Sequence, residues 1–329
     1  MERTLALETT KKVGKEVLLK GWVNTRRDHG KLVFIDLRDR SGIVQVVGGQ
    51  ELGDLRPEDV VEITGTVNRR PANLVNPKIP TGEVEVKASK VGVLAKAQEL
   101  PFDMGQEALN VSLPTLLDYR PLTLRHPKVQ AIFKIQETLI DSFRETLKNM
   151  GFAEFQAPAI VPVATEGGAE IFPVKYYDHT VYLGQSPQLY KQMMVGIFER
   201  VFTVGKAYRA EPSVTTRHLS EYITLDAEFG FVKSWEEIPD VAEHLIKTML
   251  KAVSKNNKKE LEMYGAKVPE FSGKLPRLKL REAQEVIFKR TKRDIRREPD
   301  LSPDDEKEIC TWAQEERGSD LVIITHYPT

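Results

Sequence analysis

Cysteine is almost absent from this sequence, which has one among 329 residues. A single thiol cannot close an internal disulfide, so the small disulfide-stapled folds are excluded. Long apolar runs are also missing, and none approaches the roughly 20 residues that a membrane-spanning helix needs. The N-terminal stretch MERTLALETTKKVGKEV carries charges and threonines where a secretory signal has an apolar core. We therefore expect a reduced, cytoplasmic protein that does not enter membranes.

Excess charge of one sign is missing as well, because 48 lysines and arginines balance 48 aspartates and glutamates. A net charge of zero argues against a protein that coats nucleic acid non-specifically, so any such binding must come from local patches. The composition is otherwise that of an ordinary globular protein, with 40% hydrophobic residues. At roughly 150 residues per domain, the length predicts about two domains.

Five short apolar runs in the first hundred residues, separated by turn sequences, predict a small β-barrel. Alternation along Leu32–Arg38 places Phe34 on the outer face, and a hairpin turn at Asp39–Gly42 would place Gln45 beside it. The preceding strand adds three cationic groups, which are Arg26, Arg27 and His29. An aromatic ring among cationic groups suits stacking on an unpaired base. An ordinary solvated face with one exposed phenylalanine is the alternative.

The stretch from 98 to 125 lacks clear periodicity and holds three prolines, which predicts a linker or hinge. Beyond it, apolar residues recur every three or four positions from Ile132 to Leu147, and Gly151 follows where a left-handed helix stop belongs. The rest mixes short strands and helices without regular alternation. We therefore predict an α+β chain, with a barrel over 1–97, a linker over 98–125 and an antiparallel-sheet domain over 126–329.

Two carboxylates lie on one face of a predicted strand at Tyr222–Phe231, where polar and apolar residues alternate. Of these, Asp226 could pair with an amino group and Glu228 with a metal ion. The preceding strand sets small residues in front of Arg209, whose guanidinium suits a phosphate or a carboxylate. A polar floor for a ligand and a hairpin with surface ion pairs explain this pattern equally well.

Five ordered motifs resemble those of the class II aminoacyl-tRNA synthetases. The segments YRAE (208–211), TTRHLSE (215–221) and ITLDAEFGF (223–231) resemble the second signature motif, and GFAEFQAPAI (151–160) resembles the first. QSPQLYKQ (185–192) and TEGGAEIF (165–172) are similar to the aspartyl and asparaginyl branch in its archaeal-like form. The run GWVNTRRDHGKLVFIDLRDRSGIVQVV resembles the OB-type anticodon-binding barrel of bacterial aspartyl-tRNA synthetases.

The resemblance implies a ligase that uses ATP and Mg²⁺ to join L-aspartate to tRNA. The implied ATP contacts are Arg209, Glu211, Arg217, His218 and Leu219, with Arg209 as the catalytic cation on the α-phosphate. The implied L-aspartate pocket consists of Glu166, Ser186, Gln188, Lys191, Arg209 and Asp226. In it Lys191 faces the side-chain carboxylate of the substrate, and Glu166 belongs to a loop that closes over it. The resemblance also implies Glu228 as a Mg²⁺ ligand and Pro158 as a residue of a homodimer interface.

The partner that the resemblance implies is tRNA-Asp, with anticodon contacts at Arg27, His29, Phe34 and Gln45. Relatives that charge both tRNA-Asp and tRNA-Asn tend to carry histidine where this chain has His29. Relaxed choice between the two tRNAs is therefore one hypothesis, and a histidine that merely caps a hairpin is the other.

The sequence stops at ITHYPT, before the third signature motif of the family with its ATP-stacking arginine. We therefore expect an incomplete catalytic domain, weak ATP binding and little or no aminoacylation by residues 1–329 alone. Two other functions stay open, an asparagine–tRNA ligase and a non-catalytic tRNA-binding protein. LDAE (225–228) and the bacterial-like barrel favour aspartate over asparagine.

Overall fold

The structure, a computed structural model, describes residues 1–164, 171–211 and 219–328. The chain divides into two compact units, Met1–His126 and Pro127–Thr329. The first unit holds both the predicted barrel and the stretch predicted as a linker, so the boundaries at 97 and 125 stay predictions.

The first unit is built on a closed five-stranded barrel with the strand order β1-β2-β3-β5-β4. The strands are β1 (Glu16–Asp28), β2 (Val33–Asp39), β3 (Gly42–Gly48), β4 (Val60–Arg69) and β5 (Val84–Ala95), with short 3-10 helices at Ala6–Lys11, Gln50–Leu52 and Ala72–Leu74. β3 and β5 are parallel, and the other neighbours are antiparallel. Alternate residues point inward into one core of valine, leucine and isoleucine side chains. The predicted barrel is confirmed.

The predicted turn at Asp39–Gly42 joins β2 to β3 and sets their register. The Oδ1 atom of Asp39 accepts hydrogen bonds from the backbone N of Ser41 at 2.8 Å and from its Oγ at 2.6 Å. Asp39 pairs with Gly42 across the hairpin. Because this register fixes which side chains are neighbours, Phe34 and Gln45 lie on the same face, as their alternation predicts.

A buried carboxylate, Glu58, ties the stretch after the barrel to the barrel wall. Its two oxygens accept hydrogen bonds from Arg38 Nη2 at 2.7 and 3.0 Å, and Oε2 also accepts one from Arg125 Nη1 at 2.6 Å. Glu58 has a φ of 70°, a left-handed conformation that residues other than glycine rarely adopt. The shared carboxylate therefore holds together two arginines that are distant in sequence.

The stretch after the barrel contains two short helices, α1 (Leu113–Asp118) and α2 (Arg120–Thr123). Ser112 caps the first of them through its side chain, which accepts a hydrogen bond from the backbone N of Thr115. At the end of the unit, the ring Nε2 of buried His126 lies 2.9 Å from the backbone oxygen of Gln106.

The second unit contains three small sheets and six helices within the described residues. Its elements are α3 (Pro127–Asn149), β6 (Ala153–Glu154), β7 (Ile160–Val161), β8 (Pro173–Tyr176), β9 (His179–Leu183), α4 (Gln188–Phe198), β10 (Arg200–Tyr208), β11 (Glu221–Phe229), α5 (Glu237–Asn256), α6 (Lys258–Tyr264), β12 (Arg277–Lys279), α7 (Leu280–Thr291), α8 (Pro303–Arg317) and β13 (Ile323–Thr325). The strand orders are β11-β10-β6, β7-β9-β8 and β12-β13. The predicted helix before Gly151 is α3, and Gly151 has the φ of 80° that a left-handed stop requires.

The central sheet packs its back face against helices α3 and α5. Phe202 of β10 is fully buried and meets Phe143 of α3 edge to face, with ring centroids 5.7 Å apart. Leu147 of α3 and Leu245 of α5 complete this core. The antiparallel pairing of β10 with β11 confirms the predicted α+β sheet. The front face of this sheet points away from α3 and α5.

A separate apolar core holds the C-terminal part of the described chain together. Leu280 and Ile287 of α7 and Ile309 of α8 are buried in it, and the parallel pair β12 and β13 packs alongside. Helix α8 is capped by Ser302, whose side chain accepts a hydrogen bond from the backbone N of Asp305, and the helix ends at Gly318 with a φ of 59°. Within the described parts of the chain, no helix combines the length and apolar character that crossing a bilayer requires.

The carboxylate of Glu154 links strand β6 to helix α3. It accepts a hydrogen bond from Arg144 Nε at 2.9 Å and lies 3.3 Å from Lys148 Nζ. Partial burial alone would raise the pKa of Glu154, but the hydrogen bonds and charges of Arg144 and Lys148 outweigh it and lower that pKa. A lowered folded-state pKa stabilises the fold above the unfolded pKa, and this contribution is lost as the pH falls through the folded value.

We therefore expect Glu154→Gln to lower the free energy of unfolding at neutral pH. The difference from wild type should shrink once the pH falls below about 4, near the pKa of an unperturbed glutamate. Urea denaturation of wild type and variant over a pH series measures the difference in free energy of unfolding and its dependence on pH. Glu145→Gln, on the exposed face of α3, is the matched control and should change little. A Glu154→Gln effect that is independent of pH would contradict the linkage.

Candidate active site

The front face of the central sheet is polar and carries a cavity of about 400 Å³. Thr203 of β10 pairs with Asp226 of β11, and Gly205 pairs with Thr224. Because directly paired residues of antiparallel strands point to the same side, these residues share the front face. The cavity is lined by Ser186, Thr203, Gly205 and Thr224, and also by Val204, Lys206 and Ile223 from the other side of the strands, while Lys191 and Asp226 lie outside its lining. It therefore extends from the front face around β10, where small side chains leave space in front of the sheet, as the sequence predicts.

Lys191 is the buried cation of this front face. Helix α4 places it over the sheet, where its Nζ donates to Asp226 Oδ1 at 2.9 Å and lies 3.8 Å from Glu228 Oε2. Its side chain is only 8% exposed. A buried ammonium needs such partners, because burial without them would favour its neutral form. One ammonium and two carboxylates leave this cluster one negative charge in excess.

Asp226 has one oxygen available for a further partner. Its Oδ1 accepts from Lys191, whereas its Oδ2 is buried and has no hydrogen-bond partner among the described residues. An unpaired buried carboxylate oxygen is costly, so a donor at this position would be favourable. This oxygen marks the point where a positively charged group can bind.

The turn before α4 brings two more predicted residues to the same face. Ser186 Oγ accepts a hydrogen bond from the backbone N of Gln188 at 3.2 Å, which fixes the start of the helix. The neighbouring Gln185 is buried, with 1% of its surface exposed. Pro158, from the first signature segment, also lines the cavity. Ser186 thus contacts the start of α4 at Gln188, and the same helix carries Lys191 to Asp226.

Arg209 follows directly after β10, at the edge of the same sheet. Its backbone N donates to Ser220 O at 3.0 Å, and its guanidinium carbon lies 5.8 Å from the centroid of the Tyr222 ring. The backbone N of Glu211 donates to Arg209 O at 2.8 Å, while Leu219 is exposed. Glu166, Arg217 and His218 lie outside the described residues.

At the cavity wall, Glu221 raises the pKa of Lys206 through a hydrogen bond and its charge, which keeps that lysine cationic.

The predicted Mg²⁺ ligand, Glu228, has a cation rather than further ligands beside it. Lys191 Nζ is 3.8 Å from its carboxylate. In the described ranges there is no group of three or more histidine, cysteine, aspartate or glutamate side chains that could hold a metal ion. The described residues therefore do not form a metal site by themselves, and the role of Glu228 as one Mg²⁺ ligand stays a prediction.

The predicted anticodon residues share one side of the barrel. Arg27 pairs with Phe34 across β1 and β2, and the ring of His29 packs edge to face on Phe34 at 5.5 Å. Arg27 Nη2 donates to Gln45 Oε1 at 3.2 Å and to Asp36 Oδ1 at 3.1 Å. The structure brings the four predicted residues to one surface. Arg26, by contrast, pairs with Ile35 and so lies on the other face of β1.

Two further residues of this surface escaped the sequence analysis. Arg70 Nη2 donates to Gln45 Oε1 at 2.8 Å, and Gln45 Nε2 donates to Glu85 Oε2 at 3.0 Å. Gln45 is consequently 4% exposed rather than open to solvent. Arg70 directly follows β4 and Glu85 belongs to β5, and the pairing of β5 with both β3 and β4 brings the two residues to Gln45. A charged residue alternating with valines in GEVEV was the available signal.

An OB-type barrel followed by an antiparallel sheet with this front face defines a class II synthetase. The chain belongs to the class II tRNA synthetases of the D, K and N group, whose family model matches residues 112–329, and a model of the OB-fold nucleic acid binding domain matches residues 17–94. It is therefore a ligase. The family indicated by the motifs is confirmed.

The particular relatives carry the names of aspartate and asparagine enzymes. An aspartate–tRNA(Asp/Asn) ligase of Deinococcus radiodurans is 38% identical over 329 residues, which is 100% of this chain and 74% of that protein. Among solved structures, an aspartyl-tRNA synthetase of Entamoeba histolytica has a TM-score of 0.84 at 26% identity, covering 100% of this chain and 71% of that one. An asparaginyl-tRNA synthetase of Pyrococcus horikoshii, complexed with asparaginyl-adenylate, has a TM-score of 0.81 at 32% identity, covering 95% and 72%.

The buried pair of Lys191 and Asp226 should show strong energetic coupling. We expect a double-mutant cycle with Lys191→Met and Asp226→Asn to give a coupling free energy of about 1–3 kcal/mol in urea denaturation, because each single change leaves a buried charge without its partner. The exposed pair of Lys206 and Glu221 is the matched control. Its cycle, with Lys206→Met and Glu221→Gln, should give little or no coupling, because solvent screens an exposed ion pair. Equal coupling in the two cycles would show that Lys191 is not a buried partner of Asp226.

Proposed function

We propose that this chain is an aspartate–tRNA ligase, which activates L-aspartate with ATP and transfers it to tRNA. The observation that carries the proposal is Lys191, a buried cation on the polar front face of a class II synthetase sheet. Burying an ammonium is costly unless anions face it, so a site that holds one is better suited to an anionic ligand than to a neutral one.

Lys191 supplies the selection of aspartate over asparagine. In the described residues its Nζ is held by Asp226 at 2.9 Å and approached by Glu228 at 3.8 Å. A bound aspartate would offer its side-chain carboxylate as a new partner for this ammonium, and a charge-assisted hydrogen bond is stronger than one to the neutral amide of asparagine. The name of the similar Deinococcus radiodurans enzyme agrees with aspartate as the substrate.

Asp226 would bind the other end of the amino acid. Its Oδ2 is buried and has no hydrogen-bond partner in the described part of the chain. The ammonium group of the substrate would provide the missing donor, with Gln188 beside it at the start of α4. Asp226 would thus contact Lys191 through one oxygen and the ammonium group of the substrate through the other. The substrate would then be held at its ammonium group by Asp226 and at its side-chain carboxylate by Lys191.

The activation step needs cations around ATP rather than a protein nucleophile. A carboxylate oxygen of aspartate attacks the α-phosphorus, the bond to the bridging oxygen breaks, and pyrophosphate leaves. Arg209 lies at the edge of the sheet, where its guanidinium can contact both the substrate carboxylate and the α-phosphate as charge develops. By the resemblance, Glu211 and Leu219 contact the adenine end, and Arg217 and His218 the terminal phosphates. Mg²⁺ enters with ATP as part of that substrate.

The barrel would recognise the anticodon. Phe34 offers a ring for base stacking and Arg27 a guanidinium beside it, while the buried Gln45 accepts a hydrogen bond from Arg27 at 3.2 Å and so helps to orient it. The ring of His29 packs against the Phe34 ring at 5.5 Å, and its backbone N donates to Leu32 O at 2.9 Å in the hairpin between β1 and β2, so His29 would contribute to the base-binding surface while it also closes that hairpin. The name of the Deinococcus radiodurans relative includes both tRNA-Asp and tRNA-Asn. We extend the proposal to relaxed choice between these tRNAs.

The proposal includes a cytoplasmic homodimer. Pro158 belongs to the segment that resembles the first signature motif. In the same unit, α3 exposes large apolar side chains along its first half, such as Ile132 and Phe133. Apolar side chains grouped on an exposed helix suit burial against a second copy.

ATP–pyrophosphate exchange with aspartate and with asparagine tests the amino-acid assignment. In a form of the enzyme that includes the third signature motif, the wild type should prefer aspartate, and Lys191→Met should lower the efficiency with aspartate by about 10- to 100-fold, the effect of losing about 1.5–3 kcal/mol. Arg209→Ala should lower activation by about 100-fold or more.

Lys251→Met, on the exposed face of α5, is the matched control and should leave activation unchanged. Equilibrium binding of a stable aspartyl-adenylate analogue gives the same comparison independently of turnover. Asparagine preferred by the wild type would overturn the proposal.

Charging of tRNA-Asp and tRNA-Asn transcripts with aspartate tests the choice of tRNA. In the same form of the enzyme, with the third signature motif present, we expect the two efficiencies to lie within about tenfold of each other, and His29→Leu to increase the preference for tRNA-Asp. A wild-type preference for tRNA-Asp of at least about 100-fold, which corresponds to about 2.7 kcal/mol, would refute relaxed choice without affecting the aspartate assignment.

A further inference from the structure

A second cavity lies within the first unit, where the barrel meets the stretch that follows it. Its volume is about 720 Å³, within the roughly 300–1,000 Å³ range of small-ligand sites. Its lining includes Arg26, Arg56, Leu100, Phe102 and Met104. None of the residues assigned above to anticodon or substrate binding is among them.

A β-bulge directs Arg26 into this cavity. The pairing of β1 with β2 shifts between Val23 and Thr25, so that Asn24 is an extra residue on β1. Before the bulge, Val23 points into the barrel core and is fully buried. After it, Arg26 pairs with the core residue Ile35 and lies on the inner side of the barrel, at its end. Bulges redirect side chains in this way, and here the redirected side chain is a cation.

Arg26 has donor capacity that the described residues do not use. Its Nη2 donates to Asp28 Oδ2 at 2.7 Å, but its Nε is buried and has no hydrogen-bond partner within the described ranges. A buried guanidinium N–H without an acceptor is unfavourable, so an anionic or carbonyl oxygen at this point would be bound. Arg56, which is exposed, contributes a second guanidinium to the same cavity.

The opposite part of the cavity is apolar. Met104 is buried, and Leu100 and Phe102 are half-buried beside it. Phe102 is held in place by an edge-to-face contact with Tyr119 at 5.6 Å. Two acidic side chains also line the cavity, but Glu99 is exposed, and Asp103 is engaged with the backbone N of Gly105 at 2.8 Å and with a glutamine amide.

The cavity is also connected to the predicted anticodon surface. Thr25 lines it, and Thr25 Oγ1 donates to Asp36 Oδ2 at 2.5 Å. The other oxygen of Asp36 accepts from Arg27. Arg26 and Arg27 are consecutive, so one strand presents a cation to each face of the barrel wall.

We propose that this cavity binds one nucleotide unit of RNA, with the base against Met104 and Phe102 and the phosphate on Arg26 and Arg56. The two arginines supply the donors that a phosphate needs, and the apolar part suits a base that has left its stack. The inference rests on the proposed function, because a tRNA bound at the anticodon surface would supply the nucleotide, one that adjoins the bases held there.

Methyl NMR of the full chain tests the cavity directly. The protein carries seven methionines, and Met104→Leu assigns the Met104 signal. Adenosine monophosphate and a tRNA-Asp transcript are the two probes. Both should shift the Met104 methyl signal in the wild type, and both shifts should disappear in Arg26→Ala/Arg56→Ala. That variant should also bind tRNA about tenfold more weakly and lose about one unit of the slope of log K against log salt. Arg26→Lys/Arg56→Lys should restore part of the affinity.

The matched control is Arg40→Ala, an exposed arginine at the β2–β3 turn of the same barrel. It should change tRNA affinity less than twofold and leave the Met104 shifts intact. A Met104 shift with adenosine monophosphate but no binding of tRNA would support the cavity and sink the proposed function. Tight tRNA binding with no Met104 shift from either probe, or with the double arginine-to-alanine variant unchanged, would overturn the cavity proposal and leave the proposed function standing.

Discussion

The burial of a lysine ammonium between helix α4 and strand β11 constrains everything around it. Lys191 is 7% exposed, and an ammonium at that depth must face anions. Strand β11 therefore needs carboxylates on the side that faces α4, and it provides Asp226 and Glu228 there. The other side of the same strand packs Ala227 and Phe229 against the core formed with α3 and α5, whereas Ile223 and Leu225 are exposed. The alternation of polar and apolar residues at the end of β11 follows from these two demands.

The two faces of this sheet have different roles: the back face stabilises the fold, and the front face carries the groups that bind and react. The back of the sheet holds Phe202 and its neighbours in an apolar core, where a change of volume is costly. The front holds paired charges and small residues, whose arrangement leaves both a cavity and an unpartnered oxygen on Asp226. A site built on paired strands is held more rigidly than one built on loops, which suits a reaction that depends on positioning.

The sequence was informative wherever a local pattern determined the structure. The period of two in β11, the turn at Asp39–Gly42 and the left-handed stop at Gly151 each follow from neighbouring residues, and the structure has all three. The ion pair of Lys191 with Asp226 joins residues 35 positions apart, and no local rule specifies it. The enclosure of Gln45 by Arg70 and Glu85 likewise depends on a parallel strand pairing. The C-terminal core around α7 and α8 was not predicted, because its contacts become visible only when the helices are packed.

The carboxylate shared by Arg38 and Arg125 has a consequence for exchanging parts between related proteins. Glu58 and Arg125 are 67 positions apart in the sequence, and Arg125 lies well beyond the last barrel strand. A chimaera joined directly after β5 would separate this arginine from its carboxylate and leave Glu58 with Arg38 alone. The three residues therefore have to be transferred together. A junction for exchanging the barrel is better placed after His126, where the first unit ends, than after its final strand.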